Sequence, residues 1–175
     1  MSQNPYYYLG ANPTVDLIVV NPLNEILLIL RSEKAVACPN MWALPGGFID
    51  SLSQKGEPWK LNLETPEAAA LREVKEETNL SLLSNSKILP VGIYEGNNRD
   101  PRDNPISWSK SHAFFYKIEP ELYEQEKNKI KGLDDASDCK WFSIEKIKSL
   151  DLAFDHKLII DEGLNKYFYR NKFKP

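Results

Sequence analysis

A helix with a strongly acidic face is the feature of this sequence that most constrains its fold. Residues 64–80 read ETPEAAALREVKEETNL. Thr65 is a favourable N-cap, and Pro66 suits the first helical position, where its missing N–H costs nothing. No glycine interrupts the stretch as far as Thr78, so its helix propensity is high. The sequence therefore predicts a helix over residues 66–78.

Three glutamates share one side of this helix. Glu73, Glu76 and Glu77 stand at positions i, i+3 and i+4, where like charges repel by a few tenths of a kcal/mol per pair. Such a face is either simply solvated or holds a metal ion. Mg²⁺ and Mn²⁺ prefer carboxylate oxygens together with waters and substrate phosphates. The helix alone leaves both interpretations open.

The residues in front of the helix favour the metal site. Residues 44–48 read LPGGF, and two glycines let the backbone approach a ligand closely. With Glu64 and the run REVKEE at 72–77, the stretch resembles the signature of the Nudix hydrolase family, G-x5-E-x7-R-E-U-x-E-E-x-G-U, where U is aliphatic. This chain departs from it twice. Gly47 lies seventeen positions before Glu64 rather than six, through an insertion at residues 50–63, and Asn79 replaces the last glycine.

The rest of the chain alternates strands with helices. Apolar runs at residues 15–20 and 25–31 predict a hairpin of buried strands. Further predicted strands are 42–44, 88–94, 112–118 and 140–142, and predicted helices are 119–131 in part, 144–150 and 159–169. The resemblance implies an α/β fold, the Nudix α/β/α sandwich with a mixed β-sheet between helices. We expect one domain over residues 1–175, with residues 1–13 as an N-terminal arm and an ordered loop in the insertion.

The resemblance also implies roles for the residues of the motif. The carboxylates of Glu73, Glu76 and Glu77 and the backbone carbonyl of Gly46 become the expected ligands of Mg²⁺ or Mn²⁺. Arg72 is expected to pair with Glu64 and to orient a glutamate of the site. Glu73 and Glu76, with Arg72 beside them, are the catalytic candidates, one glutamate acting as general base. The base comes instead from a distant loop in some relatives, and here Asp134, Asp135 and Asp138 are the candidates, with simple solvation equally open.

Three further segments resemble the ADP-ribose pyrophosphatase branch of the family. They are RDPR at residues 99–102, DDASDCKWF at 134–142 and LAFDH at 152–156. Arginine binds phosphates bidentately, so Arg102 is the first candidate for a substrate contact, Arg99 the second and Arg31 a third that is equally well explained as a surface or paired residue. Candidate stacking aromatics, with core packing as the simpler alternative for each, are Phe48, Phe154 and Trp108. His156 is expected either to touch substrate or to cap the last helix.

These features predict a Mg²⁺-dependent hydrolase that cuts ADP-ribose into AMP and ribose 5-phosphate. The alternatives are a Nudix pyrophosphatase for NADH, a nucleotide sugar or a nucleoside triphosphate, and a module that senses ADP-ribose without hydrolysing it. The exact substrate, the general base and the role of the insertion stay open. So does the oligomeric state, with a homodimer as one option.

The composition of the chain limits which partners and which cellular compartment we expect for the protein. The chain of 175 residues has a net charge of −3 and two cysteines, and an isoelectric point near 5.5. An acidic protein is a poor bulk binder of nucleic acid, and the chain stops at residue 175 without a further domain, so we expect no nucleic-acid partner. No apolar run is long enough to span a membrane, and no signal peptide is evident. We therefore expect a cytoplasmic protein whose partner is a nucleoside diphosphate derivative.

Overall fold

Strands and helices alternate along the chain. The computed structural model describes residues 6–7, 9–50, 64–83, 88–96 and 99–169. Within them the elements, in chain order, are β1 (Gly10–Val20), β2 (Glu25–Arg31), β3 (Trp42–Ala43), β4 (Gly46–Phe48), α1 (Pro66–Thr78), β5 (Leu89–Glu95), β6 (Ser107–Lys117), α2 (Pro120–Glu126), β7 (Ala136–Ser143), α3 (Ile144–Ile147) and α4 (His156–Gly163), which continues as a π-helical segment, Leu164–Tyr169. None of these helices is long and apolar enough to cross a membrane.

The strands form one mixed sheet around β1. β1 runs parallel to β6 over its whole length and antiparallel to β4 at residues 14–16. It meets β2 at the hairpin end, where Val20 faces Ile26. β5 extends the sheet beyond β6, while β3 and β7 both pair with β2. Parallel pairing of β1 with β6 and antiparallel pairing elsewhere make the sheet mixed, as predicted.

Helices cover both faces of this sheet. Side chains alternate between the two faces of a strand, and β1 follows this rule with two separate cores. One core joins β1 to α1 through Val15, Leu17, Val19, Ala69, Ala70 and Val74. The other joins it to α4 through Ile18, Val20, Ile159 and Ile160. A buried sheet between two helical layers is the predicted α/β/α sandwich.

Several predicted boundaries shift in the structure. β1 begins at Gly10, so residues 10–13, predicted as part of an N-terminal arm, belong to the sheet. The glycine pair, which lies outside the predicted strands, forms β4 because it pairs with β1. The last helix begins at His156 rather than at residue 159 and becomes π-helical at Leu164. Residues 51–63 of the insertion lie outside the described residues, so the predicted ordered loop there stays a prediction.

Candidate active site

The caps of α1 determine where its glutamates lie. Thr65 Oγ1 accepts the backbone N–H of Ala68 at 3.2 Å, and Pro66 opens the helix. At the other end Asn79 has a φ of 60°, the left-handed conformation that asparagine tolerates. The N-cap is as predicted. Because Val74 and its neighbours bury the other side of α1 against the sheet, the acidic side faces β4.

The two glycines of β4 let the backbone approach these carboxylates. The N–H of Gly46 donates to Glu77 Oε2 at 2.9 Å. A Cβ atom on Gly46 would lie 2.1 Å from the carbonyl oxygen of Val15. One on Gly47 would lie 2.5 Å from Glu73 Oε1. Any side chain at either position would push β4 away from β1 or displace a glutamate, so glycine is required here.

Arg72 connects the glutamates of the site. Its Nε donates to Glu64 Oε1 at 3.1 Å, and this pair is the predicted brace between loop and helix. Its Nη1 donates to Glu73 Oε1 at 2.9 Å and to Glu76 Oε2 at 2.8 Å. Its Nη2 reaches the carbonyl oxygen of Phe48 at 3.0 Å. One guanidinium therefore sets the orientation of three carboxylates and the end of β4.

Burial perturbs the carboxylates of α1. It raises the pKa of Glu73 to about 7, against the stabilising contact with Arg72. Burial also raises the pKa of Glu77 well above its usual range, against the hydrogen bond from Gly46. Glu77 is only 4% exposed, and among the described residues no cation forms an ion pair with it. Buried carboxylates of this kind are normally paired or bound to a metal.

One cleft of about 290 Å³ collects most of the residues that the sequence suggested for the site. The residues come from segments that are far apart in sequence, on β2, β4, α1 and two loops. They are Arg31, Gly46, Phe48, Arg72, Glu73, Glu76, Glu77, Arg99, Arg102, Asp134 and Asp135. Phe154 and His156 line it as well, whereas Trp108 does not. Lining the cleft is compatible with the predicted roles and leaves them as predictions.

The donors of this cleft suit a hard divalent cation. Carboxylate oxygens from α1 converge on a site with an excess of negative charge, which such a cation would balance. Within the described ranges, however, no three His, Cys, Asp or Glu side chains are close enough to hold a metal ion together. Arg72 instead bridges Glu73 and Glu76. The donor chemistry fits a metal, and the metal ligands stay a prediction.

Arg99 proves to be part of a buried ion-pair network. Its guanidinium donates twice to Asp155, with the shorter bond 2.7 Å, and once to Asp16 at 3.1 Å. Its Nη1 donates to Ser109 at 3.3 Å, and its side chain is only 9% exposed. Most of its donors are therefore occupied by protein groups. The network joins the RDPR and LAFDH segments, and the role of Arg99 in substrate binding stays a prediction.

Asp16 is a residue of the site that sequence reasoning missed. It is buried on β1, where its carboxylate contacts Arg99, Ser111 and Nε2 of His156. Burial would raise the pKa of Asp16, but His156, Arg99 and Ser111 together hold it well below its usual range. A charged residue within the apolar run VDLIVV was the available signal, because unpaired aspartates are almost never buried.

His156 does not cap the last helix. It is the first residue of α4, and the N-cap position belongs to Asp155. Its Nδ1 accepts the backbone N–H of Leu44 at 2.8 Å, and its Nε2 lies 3.1 Å from Asp16 Oδ1. The imidazole thus ties the strand before β4 to β1, and the capping alternative is wrong.

The remaining arginines sit against aromatic rings. Arg102 grips the carboxylate of Asp100, with Nη2 2.6 Å from Oδ2, and its guanidinium lies 5.8 Å from the ring centroid of Phe48. Arg31 lies 5.0 Å from the ring centroid of Phe154. Both arrangements are cation–π contacts. They place positive charge in the same cleft as the acidic helix.

The candidate base loop lies at the rim of the cleft. Asp134 and Asp135 are exposed side chains directly before β7, and Asp134 has a φ of 50°. Asp138, further along the same segment, forms an ion pair with Lys140 instead. Exposure leaves the solvation alternative for Asp134 and Asp135 in place, so their role as a base stays a prediction.

Comparisons with known proteins agree with this geometry. The NUDIX domain family matches residues 10–162 of the chain. An ADP-ribose pyrophosphatase from Methanocaldococcus jannaschii is 33% identical over 155 residues, which is 89% of this chain and 74% of that protein. The ADPR responsive transcriptional repressor NtrR from Acinetobacter baylyi is 28% identical over 149 residues, covering 85% of this chain but only 50% of the repressor.

A solved structure shows the same fold. It is a bifunctional NMN adenylyltransferase/ADP ribose pyrophosphatase from Francisella tularensis, complexed with AMP and a Mn ion. It superposes with a TM-score of 0.69 at 27% identity, covering 91% of this chain and 43% of that one. The sheet and the helices on its two faces define an α/β domain. The chain belongs to the NUDIX domain family.

Proposed function

We propose that this protein hydrolyses the pyrophosphate bond of ADP-ribose to AMP and ribose 5-phosphate with the help of Mg²⁺ or Mn²⁺. The observation that carries the proposal is the cleft itself, where the glutamates of α1 face arginines from two other segments. Glutamates with a bound cation suit a pyrophosphate group, and arginines suit the oxygens of its two phosphates. The 33% identical relative is named as an ADP-ribose pyrophosphatase.

The glutamates of α1 are negatively charged, so they can accept a pyrophosphate only if a cation lies between the carboxylates and the phosphates. Glu73, Glu76 and Glu77, with the carbonyl of Gly46, are the groups that would hold it. When bound, the ion would polarise a phosphate and lower the pKa of a water molecule, so that hydroxide is available near neutral pH. Arg72 donates hydrogen bonds to Glu73 and Glu76 and so fixes their orientations. Residues that hydrogen-bond to metal ligands commonly orient the ligands in this way.

Glu76 is the better placed of the two candidates for general base. Its side chain is 46% exposed, whereas that of Glu73 is 13% exposed. Solvent water therefore reaches Glu76 more readily, and a base must lie within hydrogen-bond reach of the proton that it takes. Arg102, whose guanidinium is stacked near Phe48, is the proposed contact for a substrate phosphate or the terminal ribose.

A sensor of ADP-ribose is the second candidate function. The observation in its favour is the 28% identical relative named as an ADPR responsive transcriptional repressor, half of whose length this chain spans. Against it stands the complete set of α1 glutamates, which a pure binding site does not need. The expectation of no nucleic-acid partner stays a prediction.

Product analysis on a substrate panel separates these functions. Purified protein is incubated with ADP-ribose, NADH, a nucleotide sugar and a nucleoside triphosphate, and products are resolved by chromatography. We expect ADP-ribose to be the substrate with the highest kcat/KM, and its products to be AMP and ribose 5-phosphate. Nucleoside monophosphate plus inorganic pyrophosphate would point to a triphosphate pyrophosphatase. Binding of ADP-ribose without any product would favour the sensor.

Replacement of the second glycine of β4 should impair catalysis strongly. In Gly47→Ala the new Cβ would meet the Glu73 carboxylate at 2.5 Å, so the carboxylate must move. Misplacement of a catalytic group by about 1 Å can lower the rate roughly 100-fold, and we expect a loss of that order in kcat for ADP-ribose. The rate is measured by AMP release.

Gly92→Ala is the matched control for this substitution. Gly92 lies on β5, outside the cleft, and its nearest neighbour would be the Tyr94 side chain at 3.3 Å. We expect its kcat to stay within about twofold of wild type, because the atoms nearest to the new Cβ are those of the Tyr94 side chain and none belongs to a residue of the cleft. Unchanged turnover in Gly47→Ala would contradict the role given to the Glu73 carboxylate.

A further inference from the structure

Phe154 has a backbone conformation that bulky residues rarely adopt. Its φ is 55°, in the left-handed region where Cβ crowds the neighbouring carbonyl oxygen. Strain of this kind persists only where the surrounding structure enforces it, and it is concentrated at functional sites. Glycine would fit the position without strain, so the aromatic ring itself requires an explanation.

Contacts on both sides force Phe154 into this conformation. Before it, the N–H of Ala153 donates to the carbonyl oxygen of Trp42 at 2.8 Å. After it, the Asp155 carboxylate accepts two hydrogen bonds from Arg99. The chain is thus anchored to β3 on one side and to the RDPR segment on the other. The residue between these anchors lines the cleft.

The ring of Phe154 holds the side chain of Arg31. The guanidinium carbon of Arg31 lies 5.0 Å from the ring centroid, within the range of a cation–π contact. Arg31 Nε also donates to the carbonyl oxygen of Ala37 at 3.0 Å. In addition, the pairing of β2 with β7 shifts register between Leu30 and Arg31, and such bulges re-aim side chains beside active sites. The Phe154 ring, the Ala37 carbonyl oxygen and the β-bulge together hold the Arg31 side chain in one orientation.

The terminal nitrogens of Arg31 remain available to a ligand. In the described parts of the chain, Nε is the one guanidinium nitrogen of Arg31 that forms a hydrogen bond, and no ion pair involves this residue. Arg31 lines the same cleft as Glu77, close enough that its charge acts on that carboxylate. A guanidinium whose two terminal nitrogens are available binds a phosphate through two parallel hydrogen bonds.

We propose that Phe154 is a positioning residue that holds the Arg31 guanidinium toward a phosphate group of the substrate. The inference rests on the proposed function and deepens it, because it assigns a phosphate contact to Arg31 and a reason to the strained residue beside it. Arg31 touches the substrate, whereas Phe154 acts through Arg31. Substrates with a pyrophosphate group are the class that this pair selects.

A double-mutant cycle tests the coupling between the two residues. The variants are Phe154→Leu, Arg31→Gln and the double substitution, assayed with ADP-ribose at saturating Mg²⁺. We expect KM to rise about tenfold in each single variant, as a lost cation–π or phosphate contact would give, with kcat within about threefold of wild type. The double variant should be no worse than Arg31→Gln alone. Additive effects, or an unchanged KM in Arg31→Gln, would overturn the proposal.

Three more substitutions at Phe154 separate positioning from packing. Phe154→Tyr keeps the ring and should restore a KM within about twofold of wild type. Phe154→Ala and Phe154→Gly both remove the ring, but only glycine relieves the left-handed strain, so we expect the glycine variant to melt about 3 °C higher. Both should show the same raised KM. A KM that follows the melting temperature instead would mean that Phe154 acts only through stability.

A binding measurement distinguishes failure of this inference from failure of the proposed function. If wild-type protein turns over no nucleotide, the proposed hydrolysis fails, and the cycle is repeated by calorimetry with inorganic pyrophosphate and Mg²⁺. A Kd about tenfold higher in both single variants, with no further increase in the double variant, would still support a phosphate contact of Arg31 that depends on Phe154. Equal affinity in all four proteins would refute it.

Discussion

Glu76→Gln is expected to lower kcat for ADP-ribose hydrolysis at least about 100-fold, or roughly 3 kcal/mol in activation free energy. The amide keeps the size of the side chain but removes the charge that would help to hold a cation and the basicity that would take a proton from water. The fold should persist, because Glu76 is partly exposed and Arg72 keeps its bonds to Glu64 and Glu73. Steady-state kinetics and a melting curve measure the two effects.

Glu67→Gln supplies the matched control on the same helix. Glu67 is exposed in the first turn of α1, outside the cleft, and the substitution removes the same charge. Its contribution to the helix macrodipole is a few tenths of a kcal/mol, so kcat should stay near wild type. If Glu76→Gln turned over ADP-ribose as fast as this control, Glu76 would be neither a metal ligand nor the base.

Arg99→Met is expected to destabilise the fold by about 3 kcal/mol, because it removes the guanidinium that pairs with the buried Asp16 carboxylate. Asp16 and Asp155 would then face each other as like charges in the same network. Chemical denaturation at pH 7 measures the free energy of unfolding. Lys140→Met is the control, since its ion pair with Asp138 is at the surface, where such pairs contribute about 0–1 kcal/mol.

The pH dependence of stability should differ between Arg99→Met and wild type. In wild type the pKa of Asp16 is below its usual range, so its stabilising effect is complete above about pH 4 and is lost as the pH falls further. In the variant His156 and Ser111 still lower this pKa, but the contribution of Arg99 is gone, so Asp16 accepts a proton at a higher pH than in wild type. The gap in unfolding free energy between the two proteins should therefore narrow as the pH falls. A constant gap would show that Asp16 does not interact with Arg99 electrostatically.

Local rules were sufficient for the acidic helix. Thr65, Pro66 and Asn79 act on their own helix ends, so their effects depend on near neighbours in sequence and the bounds of α1 follow from them. The hairpin of β1 and β2 was equally local: Asn21 Oδ1 accepts the N–H of Glu25 across the turn. The two helical layers followed from the family resemblance together with the apolar runs.

Long-range contacts were beyond the reach of the sequence. The network of Asp16, Arg99 and His156 joins residues that are 57 to 140 positions apart in the chain, and no local pattern connects them. β4 could not be predicted because two glycines have little strand propensity, and only pairing with β1 makes them a strand. The strain at Phe154 likewise comes from anchors on distant segments.

The measurement that tests the central claim most directly is ADP-ribose turnover as a function of Mg²⁺. Wild-type protein, stripped with a chelator and dialysed, is assayed for AMP release as Mg²⁺ is added back, with Glu76→Gln in parallel. The proposed function predicts no release in chelator and saturable recovery with Mg²⁺ in wild type alone. AMP release that is equally fast in chelator, or no release at any Mg²⁺ concentration, would contradict metal-dependent hydrolysis of ADP-ribose.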